Sequence, residues 1–323
     1  MTKRSTSAAE AARLLKGGEL VAIPTETVYG LAGNAFNEEA VKSIFATKQR
    51  PFYDPLILHT DSIEKIHGWG MKVPMALLPL AERFWPGPLT LLIDRSNQIS
   101  SFVTSGLPRV AVRIPHHALT LELLKLLDFP LAAPSANPFG YVSPTSPEHV
   151  LKHFDGVIPM VLDGGACTVG IESTIVGTEG DDIVVYRLGG LAIEDIESIV
   201  GKVTLRTSSS KPDAPGMLLR HYAPNKPVIA IRDQAALEEA YQLHARSGCL
   251  LYALRAPEGS EQNAVFQLSE NNDPTEAAAR FYKALRTMGD REDIGTILVE
   301  VLPDFQLGRA INDRLRRAAV EKD

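Results

Sequence analysis

The sequence predicts an α/β protein in two parts. Residues 1–205 form an α+β-like domain on an open mixed sheet, 206–226 a linker, and 227–323 a small domain on a parallel sheet. Three observations carry this. The chain has 323 residues, enough for about two domains. Its first two thirds hold many short apolar runs with helical segments interspersed, not in strict alternation. Ser208-Ser209-Ser210-Lys211-Pro212-Asp213-Ala214-Pro215-Gly216 is a polar, breaker-rich stretch, and strand and helix signals alternate cleanly after it.

The elements follow in order. Ser7-Ala8-Ala9-Glu10 has capping-box spacing and opens a helix to Leu15, which Gly17-Gly18 ends. Leu20-Val21-Ala22-Ile23 reads as a strand. Asn37 caps a helix with Val41, Ile44 and Phe45 on one face, and Pro51 stops it. Leu56 to Leu58 is a short buried strand, Met75 to Phe84 a helix broken by Trp85-Pro86-Gly87-Pro88. Strands follow at Leu89–Ile93 and Val110–Ile114, a helix at Leu119–Leu127, and a strand at Leu131–Ala133. Further strands lie near Ile158–Leu162, Thr174–Val176 and Ile183–Tyr186, and a helix from Ile193 to Val200 closes this half. Beyond the linker come strands near 228–231, 249–254, 265–268 and 297–302. Helices span 235–244, 273–288, capped by Asp273 with Pro274 in the first turn, and 308–319. This second part is Rossmann-like in class but has no G-x-G-x-x-G, so no dinucleotide site is inferred in it.

Composition excludes several functions. Net charge is −6, from 33 Lys+Arg against 39 Asp+Glu, which gives no whole-molecule attraction to nucleic acid. No apolar run approaches the roughly 20 residues that span a bilayer, and the N-terminus lacks a signal-peptide core. A soluble, cytoplasmic protein without membrane contact is expected. Cys167 and Cys249 lie in different halves, against a disulfide framework or a cysteine metal site.

The chemistry gathers at loop segments. Pro24-Thr25-Glu26-Thr27-Val28-Tyr29-Gly30 follows the first buried strand and offers hydroxyls and a carboxylate but no strong nucleophile. It suits gripping a small zwitterion, or else it is a turn with satisfied hydroxyls. Lys48 and Arg50, at a helix end, serve the helix dipole or capture phosphate. His59 ends a strand and is either a structural residue or, at the strand's carboxyl end, a ligand contact. Arg113 stands in an apolar strand and requires a partner, either an internal carboxylate or a substrate carboxylate. Ala133-Pro134-Ser135-Ala136-Asn137 and Ser143-Pro144-Thr145 suit a nucleotide cradle or are ordinary loops. Ser173 and Thr174 read as ligand hydroxyls or turn residues, and Arg187 as a cation over a nucleotide. No Walker A, H-E-x-x-H or G-x-S-x-G motif is present, so any chemistry rests on positioning and electrostatics.

Together these segments resemble the YrdC-type threonylcarbamoyl-AMP synthases in order and spacing. They include Pro24–Leu31, Lys48-x-Arg50-Pro51, Pro55-Leu56-Ile57-x-His59, Trp85–Thr90, Val112-Arg113-x-Pro115, Ala133–Asn137 and Glu172-Ser173-Thr174. Ala214–Met217, His221–Pro224 and Ala310–Arg314 resemble the family's long two-domain form, so the likeness covers nearly the whole chain.

The resemblance implies a twisted open sheet with a concave basic face. It implies a reaction of L-threonine, bicarbonate or CO2 and ATP, with Mg2+, to threonylcarbamoyl-adenylate and pyrophosphate. A tRNA-modifying threonylcarbamoyl transferase complex would then use that product beside the anticodon. By motif match, Thr27, His59, Arg113 and Ser173 hold threonine. Lys48, Arg50, Asp54, Arg109, Ala133, Ser135, Ser143 and Arg187 contact ATP. Arg220, His221, Tyr222 and Asn225 belong to the linker or lid, and no metal ligand is assigned. Asp54 departs from the Asn of many members, and Leu218-Leu219 from a Lys-Tyr pair, where Arg220 offers a substitute. A different class, a module that recognises double-stranded RNA by shape, is the alternative. Carbamoyltransferase relatives with cysteine-rich zinc segments are excluded by the two distant cysteines.

Overall fold

The computed structural model describes residues 1–206, 215 and 222–319. These form two compact units, each with its own sheet. The described residues of Met1–Phe139, Pro144–Thr168 and Glu172 to 215 make the first. Gly140–Ser143, Val169–Ile171 and 222–319 make the second.

The first unit's strands are β1 (Lys3–Ser5), β2 (Val21–Ile23), β3 (Gly30–Asn34), β4 (Ile57–His59), β5 (Leu89–Asp94), β6 (Arg109–Arg113), β7 (Leu131–Ala132), β8 (Met160–Leu162), β9 (Thr174–Glu179), β10 (Asp182–Arg187) and β11 (Thr204–Leu205). They form one sheet in the order β1-β8-β2-β3-β7-β4-β6-β5-β9-β10-β11. It is mixed, as expected: β4 runs parallel to β6 and β5 to β9, while β5 and β6 are antiparallel. Sequence reasoning does not find β3, because Gly-Leu-Ala-Gly-Asn lacks β-branched and aromatic side chains. Neighbours on both edges hold it: Ile23 pairs with Gly30, and Ala132 with Gly33.

Helix Ala8–Lys16 starts at Ser7, whose hydroxyl accepts the Glu10 N–H at 3.2 Å. Its buried stripe of Ala8, Ala11, Ala12 and Leu15 has helical spacing and packs with Val21, Ile23, Leu131 and Met160. Leu15 is fully buried, so Leu15→Ala would cost about 2–5 kcal/mol. Asn37 caps helix Glu38–Lys48 by accepting from the Glu39 and Ala40 N–H groups. Gln49 ends that helix in the left-handed region at φ 53°, which turns the chain between Lys48 and Arg50. The short helices Ile63–Gly68, Ser101–Thr104 and Pro147–Phe154, each opened by a serine cap, escape the sequence reading. Few turns leave little periodicity to detect.

The second unit's strands β12 (Val228–Ile231), β13 (Ser247–Leu251), β14 (Val265–Gln267) and β15 (Thr296–Glu300) are all parallel, in the order β12-β15-β13-β14. Asp273 caps helix Pro274–Asp290 through the Thr275 N–H, with Pro274 in the first turn. The carboxylate of Glu300, at the end of β15, accepts the main-chain N–H groups of Tyr252, Ala253 and Leu254. An internal carboxylate thus fills the loop after β13, where a parallel sheet would seat an anion. Within this unit the fully buried Arg286 donates to the carbonyls of Val142 and Ser143 and lies over the Tyr141 ring at 4.9 Å.

Candidate active site

The site is built where the central strands of the first unit meet the Thr-rich loop. Parallel register sets His59 opposite Arg113, and antiparallel register sets Thr90 opposite Arg113. Arg113 is buried and spends its donors on named groups. Nη1 donates to Thr27 Oγ1 at 2.8 Å, and Nε to the Gly87 carbonyl at 3.1 Å. Its Nη2 lies 2.7 Å from Glu26 Oε1. That approach is an ion pair by distance without hydrogen-bond alignment. Nη2 and both Glu26 oxygens therefore lack a hydrogen bond among the described residues.

Thr90 Oγ1 and Ser173 Oγ share a hydrogen bond of 2.7 Å. Arg187 donates from Nη2 to Ser173 Oγ and from Nε to the Ser173 carbonyl, both at 3.0 Å. Close packing of the Arg187-Leu188-Gly189-Gly190 turn requires glycine: a Cβ on Gly189 would come within 2.3 Å of the Ser173 main chain. Thr27, His59, Arg113 and Ser173 are thus linked through register and hydrogen bonds, with Arg187 attached.

The second cluster is cationic. The buried Lys48 ammonium donates to the carbonyls of Ser135 and Asn137. Burial, then the nearby Arg50 charge, holds its pKa well below the usual lysine range, against an opposing pull from Asp54. Arg50 reaches the carbonyls of Asp54 and Pro55, and its Nη2 pairs with Asp54 Oδ2 at 2.8 Å. The Ala133–Asn137 loop joins this cluster to the first. Ala133 N–H donates to the Ile57 carbonyl, Ala136 N–H to the Tyr29 carbonyl, and Ser135 bridges Gly30.

Burial, reinforced by the Arg113 charge, pushes His59 down to about 3, so the ring is neutral at ordinary pH. Burial pushes the Cys167 thiol up to about 12, leaving no reactive thiolate.

Other expected residues lie elsewhere. Arg109 sits at the opposite end of β6 from Arg113, with Nη1 on the Tyr186 hydroxyl at 2.8 Å and the Thr178 carbonyl at 3.2 Å. Ser143 belongs to the second unit. Tyr222 is buried in that unit, its ring 5.7 Å from Tyr282, and Asn225 is exposed. Arg220, His221 and the Leu218-Leu219 departure lie outside the described residues. Thr90 and Glu26 are absent from the expected site set. Their signal was their place inside the motifs Trp85–Thr90 and Pro24–Leu31.

Residues 13–189 match the family profile Sua5–YciO–YrdC, described as telomere recombination. The chain belongs to the Sua5–YciO–YrdC family. Residues 191–320 match a profile described as the threonylcarbamoyl-AMP synthase C-terminal domain. Within the family, the chain is 41% identical over 320 residues to a Pyrococcus abyssi protein named threonylcarbamoyl-AMP synthase, covering 96% of this chain and 93% of that one. It is 39% identical over 321 residues to a Bacillus subtilis protein of the same name, covering 96% and 92%. Among solved Sua5–YciO–YrdC structures, P. abyssi Sua5 complexed with L-threonine matches with a TM-score of 0.90 at 37% identity, covering 99% and 97% of the two chains. The mixed sheet and the parallel second sheet together match the P. abyssi Sua5 structure.

Proposed function

We propose that this protein is a threonylcarbamoyl-AMP synthase. It condenses L-threonine, bicarbonate or CO2 and MgATP to threonylcarbamoyl-AMP and pyrophosphate. One observation carries the reading: Thr27, His59, Arg113 and Ser173 form one buried cluster, and Arg187 ties it to the nucleotide side. The relatives' name and the threonine in the P. abyssi structure support it.

The chemistry fits the side chains. Arg113 takes the threonine carboxylate, and neutral His59 and Ser173 contact the rest of the amino acid. The carbamate oxygen attacks the α-phosphorus, and pyrophosphate leaves. Lys48, Arg50 and Arg187 neutralise charge that develops on the phosphate oxygens. No protein nucleophile is required. Mg2+ enters with ATP as part of the substrate. Among the described residues no group of three or more His, Cys, Asp or Glu could hold a metal. A transferase that modifies adenosine in tRNA consumes the product, a reactive mixed anhydride. No described helix is long and apolar enough to cross a membrane, and we assign the enzyme to the cytoplasm.

Pyrophosphate release from MgATP tests the reading. It is expected to require both threonine and bicarbonate, and equal release without them rejects the proposal. Arg113→Ala is expected to lower kcat/KM for threonine by roughly 100-fold or more while ATP affinity changes much less.

A further inference from the structure

We propose that Glu26 binds the α-ammonium of threonine and takes its proton when the carbamate forms. The inference rests on the synthase reading and deepens it, since that reading names no anionic partner or proton acceptor for the ammonium.

The Thr25-Glu26-Thr27 segment divides its tasks. Thr25 Oγ1 donates to the Val28 carbonyl and accepts the Thr27 and Val28 N–H groups, so it builds the turn. Thr27 accepts from Arg113 and orients the guanidinium. Glu26 lies between them, its side chain 5% exposed, and neither oxygen has a hydrogen bond among the described residues. A buried carboxylate needs a charged or hydrogen-bonding partner, and among the described residues only its Oε1 has one, the ion pair with Arg113. Arg113 Nη2, also without a hydrogen bond, lies 2.7 Å away.

An anion acceptor and a cationic donor side by side, paired only with each other at 2.7 Å, complement an α-amino acid zwitterion. The substrate carboxylate docks on Arg113 Nη2, and the ammonium donates to Glu26. A 2-hydroxy acid would offer Glu26 only a neutral O–H donor in place of the charged ammonium.

The same contact supplies the proton acceptor. The ammonium transfers one proton to the Glu26 carboxylate, leaving an amine and a carboxylic acid. The amine lone pair forms a C–N bond to the bicarbonate carbon. The C–OH bond breaks, and the leaving hydroxide removes a second N–H proton as water. The products are the carbamate, water and protonated Glu26, which returns its proton to solvent. Docking of the substrate carboxylate on Arg113 weakens that cation's hold on Glu26 and favours this transfer.

The other titratable groups around Glu26 are Arg113 from β6, His117 ahead of helix Ala118–Lys125, and Cys167 from the loop after β8, with His59 beyond Arg113. Burial lowers His117, which makes its neutral ring the competing base.

The test uses the full chain and compares wild type, Glu26→Gln, Glu26→Asp and His117→Gln. Calorimetric binding is measured for L-threonine and for 2,3-dihydroxybutanoate, in which a hydroxyl replaces the amine. Glu26→Gln is expected to weaken threonine by at least about tenfold and the hydroxy acid by less than about twofold, with ATP affinity kept. Its kcat should recover as pH rises and free threonine deprotonates unaided. Glu26→Asp should retain part of the discrimination. Equal losses for both acids, which a merely structural role would give, overturn the proposal. So does an unchanged threonine affinity, or a low-pH limb that disappears in His117→Gln and persists in Glu26→Gln. Wild-type enzyme without threonine-dependent pyrophosphate release would reject the synthase reading, while the binding comparison would still judge Glu26.

Discussion

Arg187 holds Ser173 at two points, donating from Nε to its carbonyl and from Nη2 to its hydroxyl, each at 3.0 Å. Ser173 is expected on the amino-acid side of the site and Arg187 on the nucleotide side. The pair therefore joins the two halves of the proposed reaction through one buried guanidinium.

Arg187→Met is expected to raise KM for threonine as well as for ATP, because Ser173 loses both contacts with Arg187 and its hydroxyl keeps, among the described residues, only its bond to Thr90. A double-mutant cycle with Ser173→Ala should show a coupling of about 0.5–3 kcal/mol in kcat/KM for threonine. Additive effects would mean that the two residues act independently.

The Asp54 charge is opposed by Arg50 at 2.8 Å with both side chains buried. The carboxylate thus tempers the cation expected to meet the triphosphate. Asp54→Asn should tighten ATP binding by roughly fivefold and cost about 1–3 kcal/mol of stability. Calorimetric binding and denaturant unfolding measure the two effects. An unchanged or weaker ATP affinity would show that Asp54 does not set the charge of this cluster.

His59 carries a pH signature. Burial first, and the Arg113 charge second, depress its folded pKa to about 3 from the ordinary histidine value of 6.5. Between those values the unfolded chain binds the proton and the folded one does not. Stability contributed by neutral His59 is therefore full above about pH 6.5 and lost as pH falls toward 3. The slope for this one proton is about 1.4 kcal/mol per pH unit. Unfolding of His59→Gln between pH 4 and pH 7 should lack it. An identical slope in the variant would assign the acid sensitivity to other groups.

Much of the site was legible in the residues themselves. Ser7, Asn37 and Asp273 announced helix starts because a capping side chain bonds its own neighbours, a contact made within three residues. The parallel second sheet followed from the alternation of strands and helices. The need of Arg113 for a partner followed from its apolar strand, and both alternatives, internal carboxylate or substrate, stayed open.

Which groups meet was not legible. Arg113 contacts Glu26 and Thr27 from more than eighty positions away, and Thr90 reaches Ser173 across a similar gap. Strand order places them: β6 lies between β4 and β5, and β5 lies beside β9. The extended rise of β6 carries Arg109 to its far end, about 13 Å from Arg113 although only four residues away. Capping and turn chemistry act between near neighbours and are written locally. Register depends on every side chain that the sheet must bury at once, so the company a residue keeps emerges only when the strands pair.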